Sequence, residues 1–199
     1  MKRFLEVGIA TFCLAISFPI IVVIAALIRI ESPGPALFRQ RRIGFGGRPF
    51  TMLKFRTMLD HSESKLDAYF KGNSAEQISW EQFQKIQHDP RLTRLGRWLR
   101  RSSLDELPQL WNVLMGEMSL VGPRPILPDQ RHAYGAAYPL YTQVRPGLTG
   151  LWQISGRNKL SFAERVELDV QYLTHWSLIT DIDILVRTIP RVVHQDGAF

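Results

Sequence analysis

The sequence is nearly without cysteine. Cys13 is the one cysteine among 199 residues, so no intramolecular disulfide forms and no zinc site can be built from thiolates. His132, His175 and His194 stand at no metal-ligand spacing. There is one long apolar run and no second, which excludes a multi-spanning membrane protein. Acidic residues are outnumbered: 25 Lys and Arg face 18 Asp and Glu, for a formal net charge of +7. Such a chain meets anionic partners, whether nucleic acid, an anionic membrane or a phosphorylated substrate. No nucleic-acid-binding motif is present, and the apolar run argues against DNA. With 45% hydrophobic and 22% charged residues, the chain suffices for one folded domain, or one domain plus an appendage.

The apolar run comes first. From Val7 to Ile28 there is no charge, and about 22 residues of helix would extend roughly 33 Å, enough to cross a bilayer. A cleaved signal peptide fits less well, because the run is too long and lacks a small-residue exit. A buried helix of a soluble domain is a further alternative. Pro19 stands mid-run, where it should kink or break the helix. Lys2 and Arg3 precede the run, and Arg29, Arg39, Arg41 and Arg42 follow it. Basic flanks stay on the cytoplasmic side. The pattern predicts a helix broken at Pro19 that dips into the membrane and returns. Residues 1–31 are then the membrane element, and 32–199 a catalytic domain on the cytoplasmic face.

Residues 31–35 (Glu-Ser-Pro-Gly-Pro) turn the chain. A short strand or loop with three arginines follows over 36–44. Residues 49–58 alternate like a strand and carry Lys54 and Arg56 on one side. Residues 61–88 read as a peripheral helical insert. Segment 91–101 is amphipathic, with Leu92, Leu95, Trp98 and Leu99 on one face and Arg94, Arg97, Arg100 and Arg101 on the other. That pattern suits a helix in the membrane interface or a solvated surface helix equally.

Next come Ser103-Leu104-Asp105-Glu106-Leu107-Pro108-Gln109. Cations beside Asp105 and Glu106 favour ionised carboxylates, which bind a hard cation or attack an electrophile. Ser103 and Glu106 also fit a helix capping box, so a structural role stands beside the chemical one. Pro123-Arg124-Pro125 presents one rigid guanidinium suited to phosphate. Arg145 lies in a turn-rich segment, 143–150, whose glycines permit close backbone approach. Trp152, Gln153, Arg157 and Asn158 offer stacking and hydrogen bonds for uridine, sugar or phosphate. Ser161 and Glu164 suit a cap pair opening a helix. The apolar segment 175–193 is too interrupted by charge to span, and Trp176 at its start suits an interface as well as a core.

Taken in order, Lys54-Phe55-Arg56-Thr57-Met58, Asp89-Pro90-Arg91, the 103–109 stretch, residues 116–125 (GEMSLVGPRP), residues 145–153 (RPGLTGLWQ) and Ser155-Gly156-Arg157-Asn158 resemble the bacterial sugar transferase family, the small monotopic phosphoglycosyl transferases. The resemblance implies transfer of a hexose-1-phosphate from a UDP-sugar to undecaprenyl phosphate with release of UMP. That is the priming step of exopolysaccharide, capsule or O-antigen synthesis at the bacterial inner membrane. It implies Asp105 as nucleophile and Mg2+ ligand, with Glu106 assisting in metal or proton handling. It implies a re-entrant helix broken at a Ser-Pro pair, where this chain has Phe18 before Pro19 and Ser17 one place earlier. The insert looks like that of longer relatives, without their added N-terminal membrane domain.

The expected fold is α/β and mainly helical, with the re-entrant helix, interfacial amphipathic helices and a small irregular sheet. Arg124, Arg145, Gln153, Arg157 and Asn158 are the expected substrate contacts. Arg97 and Arg101 are expected to shape the field or touch membrane. The cofactor is Mg2+; the partners are UDP-galactose or UDP-glucose, undecaprenyl phosphate and membrane lipid, with a homo-oligomer possible and nucleic acid excluded. The rival from another class is a non-catalytic membrane adaptor using the same basic face.

Overall fold

A computed structural model describes residues 1–59, 63–71, 89–156 and 160–193. Helix α1, Lys2–Glu31, is apolar on nearly all sides and long enough to cross a membrane by length and composition. Its proline does not end it: the helix continues through Pro19. Proline removes a single N–H from the ladder. Two residues earlier the Ser17 hydroxyl donates to the Cys13 carbonyl (2.7 Å).

Both ends of α1 are fastened to the same domain. At the start, Lys2 Nζ donates to the Val121 carbonyl (2.9 Å) and pairs with Asp181 (2.9 Å). Arg3 donates to the carbonyls of Val113 (2.6 Å) and Leu114 (3.2 Å), and Glu6 accepts from Ser119 Oγ and from Leu120 N–H. At the far end, the Arg56 guanidinium holds the carbonyls of Ser32 (2.7 Å) and Pro33 (2.6 Å). Glu31 accepts from the amides of Arg94 and Leu95. A 30-residue helix, about 45 Å long, therefore lies along the domain. Ala10, Ile24 and Ile28 face inward, while Phe12, Ile16, Phe18, Val22 and Val23 stay exposed.

Strands β1 (Leu37–Ile43) and β2 (Pro49–Phe55) form an antiparallel hairpin, with Phe38 opposite Lys54 and Arg42 opposite Phe50. Gly46 and Gly47 supply the left-handed backbone of its turn. Of the insert, helix α2 (Glu63–Lys71) is described.

Helix α3, Arg94–Ser102, opens on a Thr93 cap and crosses the end of β2 at Gly96, where a Cβ would collide with the Thr57 backbone. Its faces differ from the sequence pattern. Leu99 is buried, but Trp98 points outward, and Arg100 turns inward to donate to Thr57 Oγ1 (3.0 Å). Ser103 then takes a left-handed conformation, φ 56°, which ends α3 and throws the chain into a single 3-10 turn, Leu104–Glu106.

Helix α4 is only Gln109–Leu114, because Pro108 precedes it and Gly116 follows with positive φ. Asn112 keys it to the hairpin: its side chain donates to Thr51 O (2.8 Å) and accepts from Leu53 N–H (3.0 Å), as a neighbouring strand would.

A second, parallel pair joins β3 (Ser119–Val121) to β4 (Gly147–Thr149). Its backbones approach so closely that a Cβ at Gly147 would strike Gly122 N. A 3-10 stretch (Pro128–Ala137) and short helices α5 (Tyr138–Tyr141) and α6 (Leu151–Ser155) link to α7 (Phe162–Thr174) and α8 (Leu178–Val193). The Ser161–Glu164 capping box forms at the start of α7 as expected. Ile184 of α8 joins the core of Ala10, Met52, Leu110, Val113 and Met118, while Ile179, Ile182, Val186 and Ile189 face outward. The fold is thus mostly helical with small sheets.

Candidate active site

The 3-10 turn positions the acidic pair. Leu104 and Leu107 pack into the cluster of Ile24, Ile28, Phe55 and Leu99, which pins the turn between α1, β2 and α3. Asp105, between them, is 8% exposed. Burial, and then the adjacent Glu106 charge, push its carboxyl up to about 6, while Lys54 and Arg100 pull it down. At neutral pH it is therefore largely ionised in a poorly hydrated place, which leaves it nucleophilic. Glu106 does not cap a helix through Ser103; it pairs with Lys54 Nζ at 2.7 Å. Burial depresses the Arg100 guanidinium, which Asp105 and Asp89 sustain. Asp89 is gripped in turn by Arg91, with Nε at 2.8 Å and Nη2 at 2.6 Å. Burial opposes its charge, but these bonds hold it below the usual carboxylate range.

Arg42 connects this pair to the Pro-Arg-Pro loop. It is buried, donates from Nη1 to Pro125 O (3.0 Å) and from Nη2 to Gln40 Oε1 (2.6 Å), and among the described residues its Nε has no hydrogen-bond partner. Burial and then the Arg124 charge lower it to about 10, with Glu106 among the groups working the other way. Arg42 thus stands within electrostatic reach of both Arg124 and Glu106. Beneath Arg124 lies Asp169, 1% exposed. Its Oδ2 accepts from Tyr134 OH (2.7 Å) and from the Arg124 amide (3.3 Å). Burial raises this carboxyl to about 7 against those bonds and the Arg124 charge.

The other expected residues fall as follows. Arg124 shares the face of Trp152, 5.0 Å from the ring centroid. Gln153 is next along α6 and donates to Leu148 O (3.4 Å). Arg145 is exposed, donates to Gly116 O (2.6 Å) and lies over the Phe45 ring; neither partner belongs to the acidic pair. Arg157 and Asn158 lie outside the described residues. Arg97 and Arg101 point to solvent. Sequence reasoning passed over Arg42, Arg100 and Arg165. Arg42 sat among three arginines of a strand, and only the hairpin register tells which turns inward. Lys54 was noted as a cation on a strand, without its partner Glu106.

An acidic pair beside Lys54 and Arg100, next to a long helix with an outward-facing apolar side, has the charge and the apolar surface to suit an enzyme that meets anionic substrates at a membrane. The match is specific: the model of the bacterial sugar transferase family covers residues 1–195, and the chain belongs to that family. It is 44% identical over its whole length to the exopolysaccharide production protein ExoY of Sinorhizobium fredii, covering 88% of that protein. It is 43% identical to a UDP-glucose:undecaprenyl-phosphate glucose-1-phosphate transferase of Caulobacter vibrioides, covering 100% of this chain and 72% of the relative. It is 39% identical to the undecaprenyl-phosphate galactose phosphotransferase of Salmonella typhimurium, where all of this chain matches 42% of a longer protein.

Proposed function

We propose that this protein moves a hexose-1-phosphate from a UDP-sugar to undecaprenyl phosphate in two displacements, as the priming step of exopolysaccharide, capsule or O-antigen synthesis. An Asp105 carboxylate oxygen attacks the phosphorus that bears the hexose; the bond from that phosphorus to the UMP oxygen breaks and UMP leaves. An oxygen of the lipid phosphate then attacks the same phosphorus. The aspartyl bond breaks, the carboxylate returns, and the product is a lipid-diphosphate hexose. The observation that carries this reading is the burial of Asp105 between Glu106 and the cations Lys54 and Arg100. The cations offset the repulsion between a carboxylate and a diphosphate.

Mg2+ fits this donor set. Among the described residues no three His, Cys, Asp or Glu gather into a cage, but two neighbouring carboxylates suit an ion that completes its shell with water and phosphate oxygens. Asp105 and Glu106 would hold it. Bound there, it supplies positive charge for the leaving UMP.

The membrane reading rests on the anchoring of α1. Its polar ends are both bonded to one domain, so α1 enters and leaves the bilayer on one side. Its exposed apolar residues Phe12, Ile16, Phe18, Val22 and Val23 are the ones that meet lipid. The catalytic domain then sits at the cytoplasmic face of the inner membrane, where nucleotide sugar and lipid phosphate both reach it.

A panel of UDP-sugars, including UDP-galactose and UDP-glucose, tests the reaction with undecaprenyl phosphate and Mg2+. Wild-type protein releases UMP from one of them, and Asp105→Asn does not. Intact mass after donor alone gains one hexose phosphate. A strict need for lipid before any UMP appears would sink the two-step scheme. An adaptor would bind membrane and release nothing.

A further inference from the structure

Two guanidinium groups share one indole. Arg124 lies 5.0 Å and Arg165 5.2 Å from the centre of the Trp152 ring, and Trp152 is itself buried. Arg165 is tied down from one side, its Nε and Nη2 donating to the Leu160 carbonyl (3.1 and 2.8 Å). Burial and then the Arg124 charge depress its pKa. Among the described residues neither guanidinium has a carboxylate at ion-pair distance. Asp169, the acid beneath Arg124, spends Oδ2 on the Arg124 amide and the Tyr134 hydroxyl.

Holding two like charges together in a half-buried place costs free energy unless something negative joins them. The indole offsets part of that cost, since its face attracts cations. The remaining donors of two planar forks suit two phosphate groups. The location is also right. Arg42 holds the carbonyl of Pro125, the residue after Arg124, and feels the charges of both Arg124 and Glu106, which couples the seat electrostatically to the acidic pair.

We propose that Arg165, with Arg124 on the Trp152 indole, is a binding residue for the nucleoside diphosphate of the donor. Trp152 then supports cations rather than stacking on the uracil. The proposal rests on the reading of the chain as an enzyme that uses a nucleotide sugar, but its test needs no turnover.

Full-length protein in detergent is titrated calorimetrically with UDP and with inorganic pyrophosphate in Mg2+ buffer. Arg165→Gln weakens both about tenfold, the scale of one charge-assisted phosphate contact. Arg165→Lys keeps the charge but loses the planar fork, and its affinities fall between those of wild type and Arg165→Gln. UDP affinity unchanged in Arg165→Gln overturns the proposal. So does an Arg165→Lys loss equal to that of Arg165→Gln, which would assign the side chain to packing. Wild-type protein that binds UDP through Arg165 yet releases UMP from no UDP-hexose would sink the transfer reading and leave the seat standing. Turnover with KM for the donor unchanged in Arg165→Gln would do the reverse.

Discussion

Lys54 and Glu106 act on the Asp105 carboxyl with opposite signs, and this gives a paired test. Asp105 is ionised above about 6 and loses its charge as pH falls through that value. Activity should therefore show an acid limb near pH 6, falling toward lower pH. Lys54→Met removes a cation that favours ionisation. A unit charge roughly 6 Å from a carboxylate, at an effective dielectric of about 40, is worth ~1.4 kcal/mol, or about one pKa unit. The limb should move up to near pH 7. From a starting value of about 6, the ionised fraction at pH 7 falls from about 0.9 to about 0.5, and at pH 5 about ninefold. Glu106→Gln removes the like charge and should move the limb down instead, whatever it does to the maximal rate. The assay is UMP release at saturating donor between pH 5 and 9. An unmoved limb in Lys54→Met, or a shift of both variants in one direction, would refute the assignment of Asp105 as the titrating nucleophile.

Asp105→Asn should also change stability. The carboxyl is pushed up from 3.8 to about 6 in the folded chain, so ionisation opposes folding above that value and not below the unfolded one; thermal melts should show the variant up to about 3 kcal/mol more stable at pH 8 and no more stable below pH 4. Tyr134→Phe deletes the donor to a buried Asp169 oxygen and should cost about 1–3 kcal/mol in urea unfolding; no loss would show that oxygen to be otherwise satisfied. Gly96→Ala places a methyl into the Thr57 backbone and should cost about 3 kcal/mol or prevent folding, read as yield and melting point. In a Cys13→Ser background, a cysteine inserted ahead of Lys2 should react with an impermeant maleimide only from the cytoplasmic side; labelling from the periplasm alone would overturn the one-sided anchoring.

Much of the site is legible in the chain. The adjacent Asp105 and Glu106, the arginine between prolines at 124 and the Ser161–Glu164 cap depend on neighbours a few residues away, and local spacing reports such neighbours. The apolar run 7–28 likewise announces a membrane element. Arg42 and Arg100 are different. Each sits in a cluster of arginines, Arg42 in one to which the sequence gives no face and Arg100 on a helix face that periodicity assigns to the outside, and each turns inward because of contacts made far along the chain, to Pro125 and Thr57.

By itself, then, the sequence determined the family, the apolar helix and the acidic pair, because these follow from composition and short-range order. Only the tertiary structure decided which cations surround Asp105, that Glu106 pairs with Lys54 rather than capping a helix, and that both ends of α1 bind one domain. The physical reason is that a charge's effect depends on its distance through space and on its exclusion from water. Both are set by partners far apart along the chain, as Lys2 and Asp181 are.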